Sequence, residues 1–385
     1  MKRLQYDAIL KDLPKKMVFL VGPRQAGKTW LAKEIAKSFK HSVYLNYDRL
    51  EDREIIKNES WLDSTDFLVL DELHKMPNWK QYIKGVFDTK LDHLCILITG
   101  SARLDTFHSA GDSLAGRYFV HHLLPFSPAE LSETEHTQNI DRLMERGGFP
   151  EPFLMQASED ADRWRKQYTN GLIREDILDF ERIYDLRAIE LILNLLRTRV
   201  GSPVSYSSIA RDVSISPTTA KKYIEILEAL YIVFRVTPFT HNIARSLLKE
   251  PKIYFFDTAM VENEIGKRYE NMVAVSLLKY VYERNDYLGH RASLNYLRTK
   301  EGKEVDFCIT QHTSIEQLIE AKHGERTIDP SLAHFSKKYN VPGIQLVKEI
   351  KNEFIENDNS TVCRAQEFLE RLSILRAQKN HEGRS

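Results

Sequence analysis

A glycine-rich segment near the amino terminus has residue types and spacing suited to holding a polyphosphate. Gly22, Gly27, Lys28 and Thr29 occupy every fixed position of the spacing G-x-x-x-x-G-K-[ST]. The glycines let successive backbone N–H groups face the phosphates, Lys28 would reach the β- and γ-phosphates, and the Thr29 hydroxyl would ligate Mg²⁺. The predicted nucleotide-binding loop consists of Gly22, Pro23, Arg24, Gln25, Ala26, Gly27, Lys28 and Thr29.

Two carboxylates follow the apolar run at residues 67–70 and form a second candidate motif. Because ligands of open α/β sheets lie beyond the carboxyl ends of the strands, Asp71 is expected beside the phosphate loop, where it would hold Mg²⁺ through water. Glu72 is expected to orient and deprotonate the attacking water. Two acids at a strand end can also simply cap a helix, but the loop upstream favours the catalytic interpretation.

Further polar residues follow two other predicted strands. Thr99 and Ser101 end the run at residues 94–101, at the level of a γ-phosphate, and either hydroxyl could sense the nucleotide or only cap the next segment. Arg117 lies beside a glycine at the start of a fifth strand. An arginine acting in cis or from a neighbouring subunit would stabilise transition-state charge. Arg103 competes with Arg117 for this role, and a surface salt bridge is the alternative for both.

These residues need a parallel sheet to position them. The first third of the chain alternates apolar or β-rich runs with helical stretches, beginning with residues 17–21 as a buried strand and residues 29–39 as a helix. Such alternation predicts a parallel sheet. The first part of the chain is therefore expected to have the α/β class of a P-loop NTPase.

Composition limits the remaining choices. The 385 residues are 42% hydrophobic and 29% charged, with zero net formal charge, which fits a folded chain of two or three domains. The three cysteines are far apart, which argues against a disulfide framework and against a zinc site of close cysteine pairs. No signal peptide or membrane-length apolar run is evident. We therefore expect a cytoplasmic protein with no membrane partner.

The middle of the chain resembles a helix-turn-helix. Residues 205–230 contain two helical stretches, with Ser216 as the cap of the second helix and Pro217 at its first position. Residues 231–236 and 252–256 could form the β-wing of a winged helix. Recognition of DNA would then use residues of the second helix, and a packing or protein-contact role is the alternative. The candidate contacts are Thr218, Thr219, Lys221 and Lys222.

The last third contains charged residues in a distinctive order. An acid on a helix, Glu270, is followed by a strand aspartate, Asp306, and by an E-x-K pair, Glu320 and Lys322. This pattern resembles the restriction-endonuclease-like fold. Residues two apart on a strand share a face, so Glu320 and Lys322 point the same way, and across a hairpin that face would also hold Asp306. Two carboxylates can hold a Mg²⁺ that polarises a phosphodiester. Cleavage, binding without cleavage and ordinary salt bridges all stay open.

The segments GPRQAGKT, FLVLDELHKMPNW, ILITGSARLD, LAGRYFVHHLLPFSPAEL and GGFPEPF, in this order, resemble bacterial and archaeal ATPases of the AAA+ superfamily whose C-terminal half is a domain of unknown function. The resemblance covers most of the chain. It implies an ATPase core in which one strand lies between the loop strand and the acidic strand. Ala102 and Arg103 stand where many relatives have small residues, so the sensing residue stays open.

Together these features predict an ATPase domain at residues 1–180, a winged-helix domain at 181–250, a nuclease-like domain at 251–377 and a frayed tail at 378–385. The expected activity is Mg²⁺-dependent ATP hydrolysis that drives or gates action on a partner, with ATP and Mg²⁺ bound. DNA, RNA, an unknown protein and further copies of this chain are the candidate partners. A nucleotide-gated switch or scaffold with little turnover is the alternative, and an ATP-regulated nuclease is a further one.

Overall fold

The fold is taken from a computed structural model that describes residues 2–100, 114–132, 134, 139–173, 185–240, 249–262, 264–324, 327–350, 354–357 and 359–382. The chain forms two compact units, Met1–Leu124 and Pro125–Ser385. The predicted domain boundaries at residues 180 and 250 stay predictions.

The first unit alternates strands and helices along the chain. Its strands are β1 (Met17–Val21), β2 (Ser42–Asn46), β3 (Phe67–Asp71), β4 (Cys95–Thr99) and β5 (Tyr118–His122). Its helices are α1 (Gln5–Asp12), α2 (Lys28–Ala36), α3 (Leu50–Asn58) and α4 (Trp79–Thr89), with a short 3-10 helix at Leu73–Lys75.

Within the described residues of this unit, the five strands form one parallel sheet in the order β2-β3-β4-β1-β5. Strand β4 therefore lies between the loop strand β1 and the acidic strand β3, as the family resemblance implied. Because all strands run in the same direction, Val21, Asp71 and Thr99 end at one edge of the sheet, and Asp71 pairs in register with Thr99. The predicted α/β class is confirmed.

Burial on both faces explains why the strands are apolar along their whole length. Every residue of β1, β3 and β4 is buried. Met17 and Phe19 of β1 pack into one hydrophobic cluster, whereas Val18 and Leu20 pack into another on the opposite face. This two-sided burial is typical of parallel sheets covered by helices and fixes the position of the strand ends.

The second unit begins with helices. These are α5 (Pro128–Leu131), α6 (Ile140–Arg146), α7 (Pro150–Leu154), α8 (Ser158–Gly171), α9 (Leu186–Thr198), α10 (Tyr206–Val213) and α11 (Pro217–Ala229). Helices α10 and α11 are joined by a turn in which Ser214 has a φ of 61°. The Ser216 hydroxyl oxygen accepts a hydrogen bond of 3.0 Å from the backbone N–H of Thr219, so the predicted cap forms.

The rest of this unit is built on a sheet. Its elements are β6 (Val233–Pro238), β7 (Lys252–Phe255), α12 (Ile265–Leu288), β8 (Ala292–Arg298), β9 (Glu304–Gln311), β10 (Ser314–Lys322), α13 (Pro330–Tyr339), β11 (Gly343–Val347), β12 (Phe354–Asn357), β13 (Ser360–Arg364), α14 (Ala365–Arg371) and α15 (Ile374–Glu382). A 3-10 helix lies at Thr258–Met260.

Among the described residues of the second unit, eight strands form one sheet in the order β12-β13-β11-β10-β9-β8-β6-β7. Strands β6 and β7 pair antiparallel, which agrees with the hairpin expected for a wing. However, Thr237 and Pro238 at the end of β6 also pair with β8, so this hairpin is continuous with the sheet of the last third. The expected antiparallel pair of β9 and β10 is present.

Candidate functional site

The predicted phosphate loop connects the carboxyl end of β1 to the start of α2. Gly22 has a φ of +143° and Gly27 has a φ of +96°, conformations that favour glycine. A Cβ atom added to Gly22 would lie 2.3 Å from the carbonyl oxygen of Leu123, so a larger residue does not fit there. The backbone is therefore tightly curled at both glycines, as a loop that presents N–H groups to an anion requires.

An arginine that the sequence analysis did not single out supports this loop. Arg3 is 2% exposed, and its Nη1 donates a hydrogen bond of 2.6 Å to the carbonyl oxygen of Ala26. Its Nη2 donates a hydrogen bond of 2.6 Å to the carbonyl oxygen of Leu124. Arg3 thus ties the loop to the chain after β5, and no local pattern around residue 3 would have indicated this role.

Lys28 lies under the loop. Its Nζ donates hydrogen bonds to the carbonyl oxygens of Gly22 at 2.9 Å and Pro23 at 2.7 Å. Burial lowers the pKa of Lys28 to about 8, although the negative charges of Glu72 and Asp71 oppose this shift. An anionic ligand in the loop would supply further negative charge and favour the protonated lysine.

Asp71 is the residue on which the polar groups of the site converge. One of its oxygens, Oδ2, accepts a hydrogen bond of 3.1 Å from the hydroxyl of Thr29. The same oxygen accepts a hydrogen bond from the hydroxyl of Tyr44, and Oδ1 accepts one from the hydroxyl of Thr99. The structure thus brings together Thr29, Asp71 and Thr99, three residues that the sequence pointed to.

Tyr44 was missed by the sequence analysis. It lies on β2, which is the neighbour of β3 in the sheet, and its register partner is Val69, two residues before Asp71. Burial and the adjacent Asp71 raise the pKa of the Tyr44 hydroxyl, so this group is a hydrogen-bond donor at neutral pH. An aromatic residue in an alternating strand gives no sign that its hydroxyl meets a carboxylate.

Glu72 follows β3 directly and has a left-handed backbone, with a φ of 56°. Its backbone N–H donates a hydrogen bond of 3.0 Å to the carbonyl oxygen of Thr99, which fixes it at the edge of the sheet. One carboxylate oxygen lies 3.5 Å from Nε2 of His74 and 4.0 Å from Nζ of Lys75. Burial, reinforced by the charge of Asp71, raises the pKa of Glu72, which suits a proton acceptor.

Three further residues were candidates for this site. Two of them, Ser101 and Arg103, lie outside the described residues. Arg117 lies at the opposite edge of the sheet, because its carbonyl oxygen accepts a hydrogen bond from the backbone N–H of Met17, the first residue of β1. Its side chain donates hydrogen bonds of 2.7 and 3.1 Å to the carboxylate of Asp88. The structure therefore does not bring Arg117 to the phosphate loop of its own chain, and a role in a neighbouring subunit stays a prediction.

The residues around the loop fit MgATP. Mg²⁺ prefers oxygen ligands and is usually held by one or two protein groups together with substrate phosphates and water. The Thr29 hydroxyl and the Asp71 carboxylate are such oxygen groups and lie together at the loop. Lys28 and the loop N–H groups are suited to the phosphates.

The C-terminal candidates are also neighbours in the structure. Asp306 on β9 donates a backbone hydrogen bond of 3.1 Å to Oε2 of Glu320 on β10, whose Oε1 lies 3.0 Å from Nζ of Lys322. Glu270 on α12 faces the same group. Burial, reinforced by the charge of Asp306, raises the pKa of Glu320 to about 8 and that of Glu270 to about 7. The grouping predicted from the sequence is thus reproduced.

A lysine that the sequence analysis placed only in a strand, Lys252, is a second positive member of this cluster beside Lys322. Its Nζ lies 2.7 Å from Oε1 of Glu304, 3.1 Å from Oδ1 of Asp306 and 3.7 Å from Oε1 of Glu270. Within the described residues, no group of three or more His, Cys, Asp and Glu side chains is arranged to hold a metal ion. The cluster therefore does not fit the predicted second metal site in this arrangement.

The predicted DNA-contact residues lie on the first turns of α11. Thr218, Lys221 and Lys222 are exposed, whereas Thr219 is half-buried and its hydroxyl is 2.8 Å from that of Ser216. Lys221 also lies 3.8 Å from the carboxylate of Glu225, so this face contains both charges.

The sequence matches three known domain families. Residues 14–132 match an AAA domain, residues 137–270 match a domain of unknown function (DUF8612), and residues 265–368 match another domain of unknown function (DUF4143). The first part of the chain is therefore a P-loop ATPase domain of the AAA class. The chain as a whole combines this ATPase domain with two C-terminal domains of unknown function.

Two similar proteins are described as uncharacterized. One from Mycobacterium tuberculosis is 26% identical over 300 residues, which cover 76% of this chain and 67% of that protein. One from Methanocaldococcus jannaschii is 24% identical over 343 residues, which cover 80% of this chain and 75% of that protein.

Among solved structures, a variant of RuvB from Thermotoga maritima has a TM-score of 0.33 and 17% identity, covering 60% of this chain and 86% of that one. The Pif1 helicase from Bacteroides has a TM-score of 0.22 and 13% identity, covering 37% of this chain and 45% of that one. Similarities at this level contain no functional information. No helix within the described residues has the length and apolar character needed to cross a membrane.

Proposed function

We propose that the first unit binds MgATP and hydrolyses it, and that turnover drives or gates the action of the second unit on a partner. The main support is the convergence at Asp71, whose Oδ2 accepts a 3.1 Å hydrogen bond from Thr29 of the phosphate loop. This contact joins residues 42 positions apart in sequence and supports a single site for the two nucleotide motifs. The cytoplasm stays our prediction for its location.

Each residue has a distinct task in this proposal. The loop N–H groups and Lys28 bind the phosphates, while Thr29 and Asp71 hold Mg²⁺, which would neutralise charge on the phosphate oxygens. Glu72 orients a water molecule and accepts its proton, for which its raised pKa is favourable. Thr99 holds the Asp71 carboxylate in place.

Two variants test the proposal and separate it from a switch or scaffold with little turnover. Lys28→Ala removes the buried ammonium group of the loop and should abolish or strongly weaken ATP binding, measured by calorimetry. Glu72→Gln should bind ATP like the wild type but release phosphate ~10²-fold more slowly. If the wild type releases phosphate no faster than a slow Glu72→Gln variant, the switch or scaffold is favoured. If the wild type hydrolyses ATP and Glu72→Gln does so equally fast, Glu72 is wrongly assigned as the base.

Contact with nucleic acid through α11 is a second candidate function. It is favoured by the exposed Thr218, Lys221 and Lys222 on the first turns of a capped helix that follows a tight turn. Lys222→Ala should weaken DNA binding uniformly across sequences and lower the salt dependence of binding by about one counterion. Lys57→Ala, which removes an exposed lysine of α3 in the first unit, is the control, and fluorescence anisotropy at several salt concentrations is the measurement. Equal salt dependence in Lys222→Ala and the wild type would contradict this role.

A further inference from the structure

The ammonium group of Lys252 lies inside a cluster of carboxylates in the second unit. These carboxylates belong to Glu270, Glu304, Asp306 and Glu320. Lys252 is 1% exposed, yet its Nζ lies 2.7 Å from Glu304 and 3.1 Å from Asp306. Its Nζ also lies 5.5 Å from the centre of the Tyr296 ring, a favourable position for a cation. Burying a lysine is costly unless it is paired, so these contacts explain how it is accommodated.

The other oxygens of the cluster also have donors from the chain. Oδ2 of Asp306 accepts a hydrogen bond of 3.2 Å from the backbone N–H of Ala321, so both oxygens of this carboxylate are engaged. Glu320 likewise uses one oxygen for the backbone N–H of Asp306 and the other for Lys322. Each carboxylate oxygen of Asp306 and Glu320 is thus paired with a donor of the chain itself.

The third carboxylate is held in the same way. Oε1 of Glu270 accepts a hydrogen bond of 2.6 Å from the hydroxyl of Tyr254 and faces Lys252. Its Oε2 lies against Gly201, where an added Cβ atom would come within 2.5 Å of it. The packing around Glu270 thus leaves little space on that side for a hydrated ion.

We propose that Lys252 takes the place of a divalent cation in this cluster, so that the nuclease-like sheet is held together without metal and does not cleave nucleic acid at this site. Mg²⁺ requires near-octahedral oxygen ligands at about 2.0–2.1 Å. To bind here it would have to take Oδ1 of Asp306 from Lys252 and leave a buried ammonium group without this partner. The built-in cation also links the start of β7 to β9 and α12, which gives it a structural role.

The test is Mn²⁺ binding to the full chain without nucleotide, measured by electron paramagnetic resonance. Wild type and Asp306→Asn should bind equal amounts of Mn²⁺, because any ion near the phosphate loop is common to both. Lys252→Met removes the charge and keeps most of the volume, and it should gain about one Mn²⁺ per chain. The double variant Lys252→Met/Asp306→Asn should lose this gain. Lys267→Met, which removes a lysine paired with Glu264 outside the cluster, is the matched control and should gain none.

Several results would overturn the proposal. Wild type binding about one Mn²⁺ more than Asp306→Asn would show that the cluster holds a metal despite Lys252. A folded Lys252→Met with no additional Mn²⁺ would show that the lysine does not occupy a cation position. Nicking of DNA or RNA by the wild type, lost in Asp306→Asn, would establish cleavage. If Lys252→Met does not fold, the comparison of wild type with Asp306→Asn and the nicking assay decide the question.

Discussion

The hydroxyl of Thr29 donates a 3.1 Å hydrogen bond to the carboxylate of Asp71, which joins the phosphate loop to the end of the acidic strand. The contact follows from the sheet topology. Strands β1, β4 and β3 are parallel neighbours, so the residues that follow β1 lie at the same edge of the sheet as the end of β3. A Mg²⁺ ion bound by Thr29 and Asp71 would therefore meet oxygen atoms that are already close together. This preorganisation favours tight binding of the metal with the nucleotide.

Tyr44→Phe should lower the apparent affinity for Mg²⁺ during ATP turnover. Loss of the Tyr44 hydroxyl removes one of the groups that orient Asp71, and outer partners of this kind typically contribute ~10-fold or more to metal affinity or activity. We expect the Mg²⁺ concentration for half-maximal turnover to rise ~10-fold, with ATP affinity measured without Mg²⁺ unchanged. Tyr82→Phe is the control, because its hydroxyl donates to the carbonyl oxygen of Ile56 instead. Identical Mg²⁺ titrations of Tyr44→Phe and Tyr82→Phe would argue against a positioning role.

Arg117 is predicted to act on the nucleotide of a neighbouring subunit. In that case Arg117→Ala should bind ATP normally but hydrolyse it ~10³-fold more slowly, and mixing it with Glu72→Gln should restore part of the turnover. Asp88→Asn weakens the ion pair but keeps the arginine, so it should hydrolyse ATP like the wild type. A wild type that is monomeric by light scattering and fully active would exclude this role and leave Arg117 as a surface partner of Asp88.

Glu283 is a buried carboxylate in the second unit with an unusual environment. It lies on α12 and accepts hydrogen bonds from the Ser373 hydroxyl at 2.8 Å and from the backbone N–H of Ile374 at 2.9 Å. Burial raises the pKa of Glu283 to about 7, although the charge of Lys279 and these hydrogen bonds oppose the shift, while nearby Glu130 favours it. Glu283 thus anchors the start of α15 and should be largely protonated below neutral pH.

This shift predicts a pH-dependent stability. The pKa of Glu283 is higher in the folded chain than in the unfolded one. The contribution of Glu283 to the stability of the fold is therefore fully present below about pH 4.5 and is lost as the pH rises through about 7. Glu283→Gln imitates the neutral acid at every pH. The melting temperature of Glu283→Gln relative to the wild type should therefore rise between pH 5 and pH 8. The corresponding change in the free energy of unfolding is roughly 1–3 kcal/mol. A difference that is constant with pH would contradict the shift, and the exposed Glu159→Gln provides the control.

The sequence was sufficient for the parts of the fold and site that depend on local patterns. The strand before Gly22, the loop, the strand that ends at Asp71 and the cap at Ser216 each depend on residues that are close in sequence. The positions of Thr29 and Asp71 followed because carboxyl ends of parallel strands meet at one edge. These predictions needed only motif spacing and hydrophobic periodicity.

The residues that were missed depend on contacts between distant segments. Arg3 meets Leu124, and Lys252 meets Asp306, pairs separated by 121 and 54 residues. Neither arginine nor lysine has a local pattern that indicates burial, because both residue types are mostly exposed. Arg117 also shows what local pattern leaves open, since its neighbouring glycine suggested a site residue while strand direction places it at the other edge of the sheet in its own chain.

The close approach of Gly22 to Leu123 affects how genetic evidence on this protein should be interpreted. Any side chain at residue 22 would collide with the main chain after β5, whether or not a nucleotide is bound. Loss of function after a change at Gly22 would therefore combine defective assembly of the domain with defective binding. Inactive alleles intended to separate protein abundance from nucleotide use should instead alter Lys28 or Glu72, because the proposed tasks of both side chains concern the nucleotide rather than the packing of the domain.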